Sequence, residues 1–255
     1  MRLKCKHKVD VMGRTIGAAV PLICLPLVAK DKASLLHQAE ELLLLSPDII
    51  EWRIDTFDHV GDIDSSLQTL ADLRATIESV PLIFTCRIGE EGGVQKVAQG
   101  TRLALISASI RTGLPDIVDI ELSNGTAFIT AILETAGRYG VKVILSYHDF
   151  EKTPKESDIL SQLVRAQDMG AHIAKVAVMP NNHNDILVLL NATLKARTEA
   201  LQIPIVTMSM GELGVVTRIV GGLFGSDITF ATGKNASSPG QIPIGELRKA
   251  MAVLY

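Results

Sequence analysis

The sequence is short of the residues that mark several protein classes. Its 3 cysteines, Cys5, Cys24 and Cys86, lie far apart with no C-x-x-C pair among its 255 residues. That excludes a disulfide framework or a cysteine zinc site and fits a reducing cytoplasm. Aromatic residues make up only 4%, no basic block occurs, and 25 Lys and Arg against 28 Asp and Glu give a net charge of -3. Nucleic-acid binding by phosphate neutralisation and base stacking has little to build on. No apolar run reaches the roughly 20 residues that span a bilayer. H-E-x-x-H, G-x-S-x-G and EF-hand patterns are missing, so metal and serine-hydrolase chemistries lose their usual support. One stretch imitates a secretory signal: Arg2, Lys4, Lys6, Lys8 and Arg14, then apolar residues from Ile16 to Ala29. Asp10 inside the basic part, the late apolar onset, and Pro21 and Pro26 argue against it.

What is present is a globular composition, 47% hydrophobic and 21% charged, with 20 glycines and 10 prolines spread along the chain. Short β-rich runs recur at Pro21–Val28, Asp48–Ile54, Pro81–Arg87, Asp116–Leu122, Val141–Tyr147, His172–Val178, Pro204–Met210 and Asp227–Ala231. Between them lie segments of helical periodicity, Ser34–Leu45, Leu67–Ile77, Leu103–Arg111, Ala127–Arg138, Ile159–Gln167, Ile186–Arg197, Val215–Leu223 and Ile244–Val253. Continuous apolar strands are those covered on both faces. Strict alternation of this kind predicts an α/β fold, a closed (β/α)8 TIM barrel occupying the chain as one domain, 1–255. Residues 1–19 are expected to form a hairpin that closes the barrel floor, and 20–255 the barrel. A doubly wound open sheet is the alternative, but the first strand lacks the G-x-G-x-x-G turn of a dinucleotide site.

In such a barrel the chemistry sits at the C-terminal ends of the strands. Glu51, Arg53 and Asp55 share one parity at the end of the second run, which is costly in a buried strand unless they are paired. They read either as a structural ion pair or as a polar pocket for a hydroxylated substrate. Arg87 ends the third run, with Cys86 turned toward the helices as an apolar filler and Glu91-Gly92-Gly93 just beyond. Asp119 and Glu121 in the fourth run are expected to be structural partners of Arg53 and Arg87. His148 ends the fifth run, where an imidazole with Glu91 nearby suits acid/base work.

The sixth run is the most informative, because Lys175 stands among apolar residues from His172 to Pro180. A lysine there is hard to explain structurally, since a small barrel leaves little room to snorkel. Desolvation disfavours its charged form, and a neighbouring cation such as protonated His148 acts the same way. A neutral amine in a closed pocket adds to a carbonyl and forms a Schiff base. Met208 and Met210 offer an adaptable wall. Arg218, in a helix opening near Gly214, either binds a substrate carboxylate or is a solvated arginine. The loop from Thr232 to Gln241 is a candidate lid, and its Lys234 a competing but hydrated amine.

Taken in order, the segments Glu51-Trp52-Arg53-Ile54-Asp55, Thr85-Cys86-Arg87, Glu91-Gly92-Gly93, Ser146-Tyr147-His148-Asp149-Phe150, Lys175 to Pro180, Thr207-Met208-Ser209-Met210, Arg218 and Ser237-Ser238-Pro239-Gly240-Gln241 give the chain its strongest likeness. It resembles type I 3-dehydroquinate dehydratases of the shikimate pathway. The resemblance implies a TIM barrel, usually a homodimer, that converts 3-dehydroquinate to 3-dehydroshikimate and water with no metal and no cofactor. It implies Lys175 as the Schiff-base lysine, His148 as the general acid/base and Glu91 as the acid that orients it. Arg218, Ser237 and Gln241 then hold the substrate carboxylate, and Glu51, Arg53 and Arg87 the ring hydroxyls. A class I aldolase would share Lys175 but cleave a carbon–carbon bond. A barrel that only binds a small acid would have no need of a buried amine.

Overall fold

Residues 3–234 and 236–255 are described here by a computed structural model. Arg2, of the basic stretch, and Asn235, of the lid loop, lie outside the described residues. The chain opens with an antiparallel hairpin, β1 (Val9–Val11) and β2 (Arg14–Ile16). The strands β3 (Leu22–Leu27), β4 (Ile49–Arg53), β5 (Leu82–Thr85), β6 (Ile117–Glu121), β7 (Lys142–Asp149), β8 (Ile173–Val178), β9 (Ile205–Ser209) and β10 (Ile228–Phe230) follow. The helices α1 (Lys32–Leu44), α2 (Ile63–Ile77), α3 (Gln99–Thr112), α4 (Thr126–Tyr139), α5 (Glu156–Asp168), α6 (His183–Lys195), α7 (Gly211–Phe224) and α8 (Ile244–Met251) alternate with them. Strands β3 to β10 form one 8-stranded parallel sheet in the order β10-β3-β4-β5-β6-β7-β8-β9. The seam between β9 and β10 is bridged at Ile205 and Ser226, where the Asp227 amide donates to the Ile205 carbonyl at 2.7 Å. This is the (β/α)8 barrel that the alternation predicts.

The strands match their predicted runs to within a residue or two, because both faces of each are buried. Seven of the eight helices begin earlier than periodicity alone indicates, and α8 begins at Ile244 as expected. The Asp31 carboxylate accepts from the Ser34 amide and starts α1 at Lys32, and Asp62 caps α2 at Ile63 in the same way. α7 opens at Gly211, ahead of the expected Gly214. The run expected to be helical to Arg197 ends its α-helix at Lys195 and continues as a π-turn through Ala200.

Two apolar layers hold the barrel. The outer one packs strand residues such as Leu25, Trp52, Phe84 and Val176 against the helices. Cys86 belongs to it, as expected of a filler, and burial pushes its thiol up to about 12. The inner one joins the lower strand ends, Ile49, Ile83, Ile117, Ile144 and Ile173, to Val9, Val11 and Ile16 of the hairpin. The hairpin therefore covers the barrel floor, leaving the C-terminal mouth for chemistry.

One buried ion pair pins the β9–β10 seam. Arg197 donates to Asp227, and also to the Gly225 and Ile203 carbonyls. Arg197→Ala would remove one partner of this buried ion pair, at an expected cost of about 3–5 kcal/mol. Thermal unfolding should shift down by roughly 10 °C at this chain length. A shift within a degree or two would show that the pair does not hold the seam.

Candidate active site

Above the inner apolar layer the barrel interior turns polar. The register sets Thr85 of β5 beside Asp119 of β6, Glu121 beside Ser146 of β7, and Ser146 beside Lys175 of β8. These side chains face the axis because alternate residues of a strand point the same way. His148 pairs with Ala177, one inward step above Lys175 on the neighbouring strand. A pocket at this level encloses about 410 Å³, part of it open to solvent. Glu51, Arg53, Arg87, Glu91, His148, Lys175, Ser237 and Gln241 all line it, with Met208, Met210 and Phe230 as its apolar wall.

Lys175 is only 5% exposed, as its place in the sequence predicts. It is not, however, an unpartnered cation. Its Nζ donates to Asp119 Oδ2 at 2.7 Å and lies 4.7 Å from the centroid of the Phe230 ring. A buried ammonium is tolerated when a carboxylate compensates its lost hydration. Asp119, expected to be a structural partner of an arginine, touches the lysine itself. It also accepts from Arg87 Nη2 at 2.9 Å and from Ser146 Oγ at 2.6 Å. Although burial opposes its ionisation, the neighbouring Arg87 and Lys175 cations hold its carboxyl far below the ordinary range.

The expected pairing of arginines and acids is half correct. Arg87 does pair with Asp119 and with Glu121, which takes its Nη1 at 2.9 Å. Arg53 instead pairs with Asp55, through Nε and Nη2 at 2.8 Å each. Asp55 has left the strand for a 3₁₀ turn, so strand parity no longer governs where it points. Glu51 pairs with no arginine among the described residues, but accepts from the Thr85 hydroxyl at 2.8 Å. The Arg53 fork is fixed further by the Gly92 carbonyl at 3.1 Å. Gly92 has φ +86, and a Cβ there would lie 2.4 Å from the Phe150 ring, so the turn requires glycine.

That turn delivers Glu91 to His148. Glu91 Oε2 lies 2.9 Å from His148 Nδ1 and accepts the His148 backbone amide at 2.9 Å. Its other oxygen accepts from Ser123 Oγ at 2.5 Å. Burial raises the Glu91 carboxyl to about 7. Burial, with Arg87 and Lys175 close by, pushes the His148 imidazole well below its ordinary value. His148 is thus neutral, which removes the protonated imidazole expected beside the lysine. The near-neutral titration belongs to the His148–Glu91 pair rather than to the imidazole alone. With Nδ1–H held by an ionised Glu91, Nε2 carries the lone pair.

Arg218 is 2% exposed, so the solvated alternative is ruled out. No carboxylate pairs with it among the described residues, and its Nε has no hydrogen-bond partner. Burial alone lowers it to about 10. Its Nη2 donates to the Pro239 carbonyl at 3.0 Å and to Ser238 Oγ at 3.4 Å, so it stands behind the loop rather than in the pocket wall. Ser237 and Gln241 bind each other across that loop, with the Ser237 amide 2.9 Å from Gln241 Oε1. The loop is seated by Gly240, at φ +76, where a Cβ would fall 2.2 Å from the Gly211 carbonyl oxygen. Lys234 is exposed and paired with Glu41, in keeping with a hydrated amine.

Sequence reasoning missed three contributors, Asp119 as the lysine's partner, Phe230 and Ser123. Asp119 carried a signal, an acid inside an apolar run, but its partner depends on strand register. Ser123 lies in a loop and carried none.

Comparison with known proteins agrees with this geometry. The family profile for type I 3-dehydroquinase matches residues 23–255. The 3-dehydroquinate dehydratase of Bacillus subtilis is 42% identical over 245 residues, 96% of each chain. The structure of 3-dehydroquinate dehydratase from Geobacillus kaustophilus superposes with a TM-score of 0.97 at 40% identity, covering 100% of this chain and 98% of the other. That of the type I enzyme from Clostridium difficile, with covalently modified comenic acid, gives 0.95 at 42% identity and 98% of each. The chain belongs to the type I 3-dehydroquinase family.

Proposed function

We propose that this chain, a hydro-lyase of the 3-dehydroquinate dehydratase kind, works through an imine on Lys175 with His148 as its acid and base. The observation that carries the reading is the pairing of a buried amine with a neutral imidazole one inward step above it on the next strand. The substrate is a β-hydroxy ketone, and removing water from it requires a carbanion beside the carbonyl. The Lys175 amine adds to the ketone and expels water, leaving an iminium that serves as electron sink. His148 Nε2 takes the α-proton, then returns it to the departing hydroxyl, while Glu91 holds Nδ1–H and fixes the tautomer. Water then hydrolyses the product imine and frees Lys175. Ser237 and Gln241 hold the carboxylate, with Arg218 reaching it once the loop it stands behind has shifted, and Glu51, Arg53 and Arg87 hold the ring hydroxyls. Binding so far from the reacting atoms serves orientation. The covalently modified ligand of the Clostridium difficile relative fits a site of this chemistry.

Supplying 3-dehydroquinate to the purified protein should produce the ultraviolet absorbance of a conjugated enone. Folded protein that gives no such signal would reject the reading, and carbon–carbon cleavage would replace it by an aldolase.

The His148–Glu91 pair sets the pH response. As pH falls through about 7 the pair takes up a proton, and because Nδ1 and Glu91 already share one, the added proton leaves Nε2 as N–H. Nε2 then cannot act as a base, so kcat/KM should drop on the acid side of about 7. The Ser123 hydrogen bond favours the ionised carboxylate. Ser123→Ala should move this limb upward by about one pH unit, the size of one hydrogen bond to a charged group. An unmoved limb would assign the titration elsewhere.

The chain is also proposed to fold as one unit, hairpin 1–19 with barrel 20–255, and to form a homodimer. Adjacent helices α6 and α7 expose Leu187 and Leu194, and Leu213, Val216 and Leu223. Such a face is better covered than solvated. Sedimentation should find a dimer that Leu213→Glu weakens; a monomer at micromolar concentration would refute it. The buried free cysteines suit the cytoplasm. Among the described residues no helix is long and apolar enough to cross a membrane.

A further inference from the structure

From the contacts of Asp119 we infer that its carboxylate is the counter-ion of the iminium formed on Lys175, keeping that nitrogen protonated while the substrate is bound. The inference rests on the imine reading above.

The balance of the first step shows why a counter-ion is needed. An ammonium and a ketone give an iminium and a water molecule. Three N–H protons become one N–H and two O–H, and the single positive charge stays on the nitrogen. Whatever stabilises the ammonium before the step therefore faces the same charge after it. Asp119 Oδ2 is 2.7 Å from that nitrogen and 0% of the Asp119 side chain is exposed. Its position does not depend on the lysine. Arg87 at 2.9 Å and Ser146 at 2.6 Å hold the two carboxylate oxygens from the neighbouring strands' side. The charge thus remains in place when the ammonium becomes a bulkier iminium.

Protonation of the imine is what makes it an electron sink, because a neutral imine accepts the electrons of the breaking C–H bond far less readily. The surroundings of this nitrogen do not favour a cation without Asp119. Arg53 and Arg87 line the same pocket, and Arg218 stands behind the lid. On the anionic side, Asp55 is taken by Arg53 and Glu121 by Arg87 and Arg102, while Glu91 is turned to His148 and Ser123. Glu51 lines the pocket but is bound to Thr85. The Phe230 ring at 4.7 Å adds a weaker attraction. Asp119 is the carboxylate in direct contact with the reacting nitrogen. Because Arg87 shares it, its hold on the cation is divided, which leaves the iminium free to become a neutral enamine when the α-proton departs.

The test uses 3-dehydroquinate and cyanoborohydride, which reduces protonated imines, with the adduct read by intact mass between about pH 6 and about pH 9. The wild type should give an adduct at Lys175 whose yield is flat across this range. In Asp119→Asn the adduct should form at low pH and fall roughly tenfold for each unit above the iminium's new pKa. A profile as flat as the wild type's would overturn the inference. So would a folded variant that gives no adduct at any pH, since the carboxylate would then be needed for the attack itself. Should the Asn variant fail to fold, Asp119→Glu, which keeps the charge, must retain the flat profile; a falling one overturns the proposal. Absence of any wild-type adduct would instead reject the imine reading beneath it.

Discussion

Replacing Lys175 by alanine is expected to abolish turnover and the borohydride-trapped adduct together. The loss should be at least roughly 10⁵-fold, the scale seen when a covalent nucleophile is removed, or about 7 kcal/mol of transition-state stabilisation. Such a loss follows from the chemistry: without the amine, the ketone itself must accept the electrons of the α-carbon, and no other buried amine lines the pocket among the described residues. The variant should still fold. Asp119 keeps Arg87 and Ser146, so removal of the lysine leaves no orphaned charge. This separates Lys175 from Arg197, whose removal breaks a buried ion pair. Persistent trapping in Lys175→Ala would relocate the nucleophile, with Lys234 the first alternative. That outcome conflicts with the exposure of Lys234 and its pairing with Glu41.

Much of this was legible in the sequence, for a physical reason. A barrel strand buried on both faces must be apolar, so a polar residue inside one stands out, and Lys175 and Glu51 both do. Alternation of strands and helices likewise indicates a parallel sheet, because parallel strands need crossovers of helical length, and eight repeats in one chain point to closure. What sequence could not reveal is which charge meets which. Asp119 and Glu121 were placed in the barrel correctly, yet only the register between β6, β7 and β8 brings Asp119 to Lys175. Asp55 lies two residues past the end of β4, in a 3₁₀ turn, so strand parity does not decide that it turns back onto Arg53. The same register decides the surroundings of Lys175, whose Nζ is bound to Asp119, while the turn at Gly92 brings Glu91 to His148.

His148→Ala separates the two halves of the mechanism. Turnover should fall roughly 10²- to 10⁴-fold, the usual contribution of a positioned acid/base group. The adduct at Lys175 should nonetheless form, because the imine depends on the amine and Asp119, and it should accumulate as the unreacted substrate imine. Its appearance is expected to be slower than in the wild type. The Lys175 ammonium must shed a proton before it attacks, and Asp119, held so strongly in its ionised form, is a poor acceptor. His148, one inward step above Lys175 on the next strand, is placed to take that proton. The acid limb near pH 7 should also vanish, since Glu91 then has no ring nitrogen to orient. Near wild-type turnover would reject His148 as the acid/base. An adduct that never forms, in folded protein, would place the need for His148 at the condensation rather than at the elimination. The two variants thus make opposite demands on one measurement: Lys175→Ala must lose the covalent intermediate, and His148→Ala must hold it. Only a division of labour between amine and imidazole meets both.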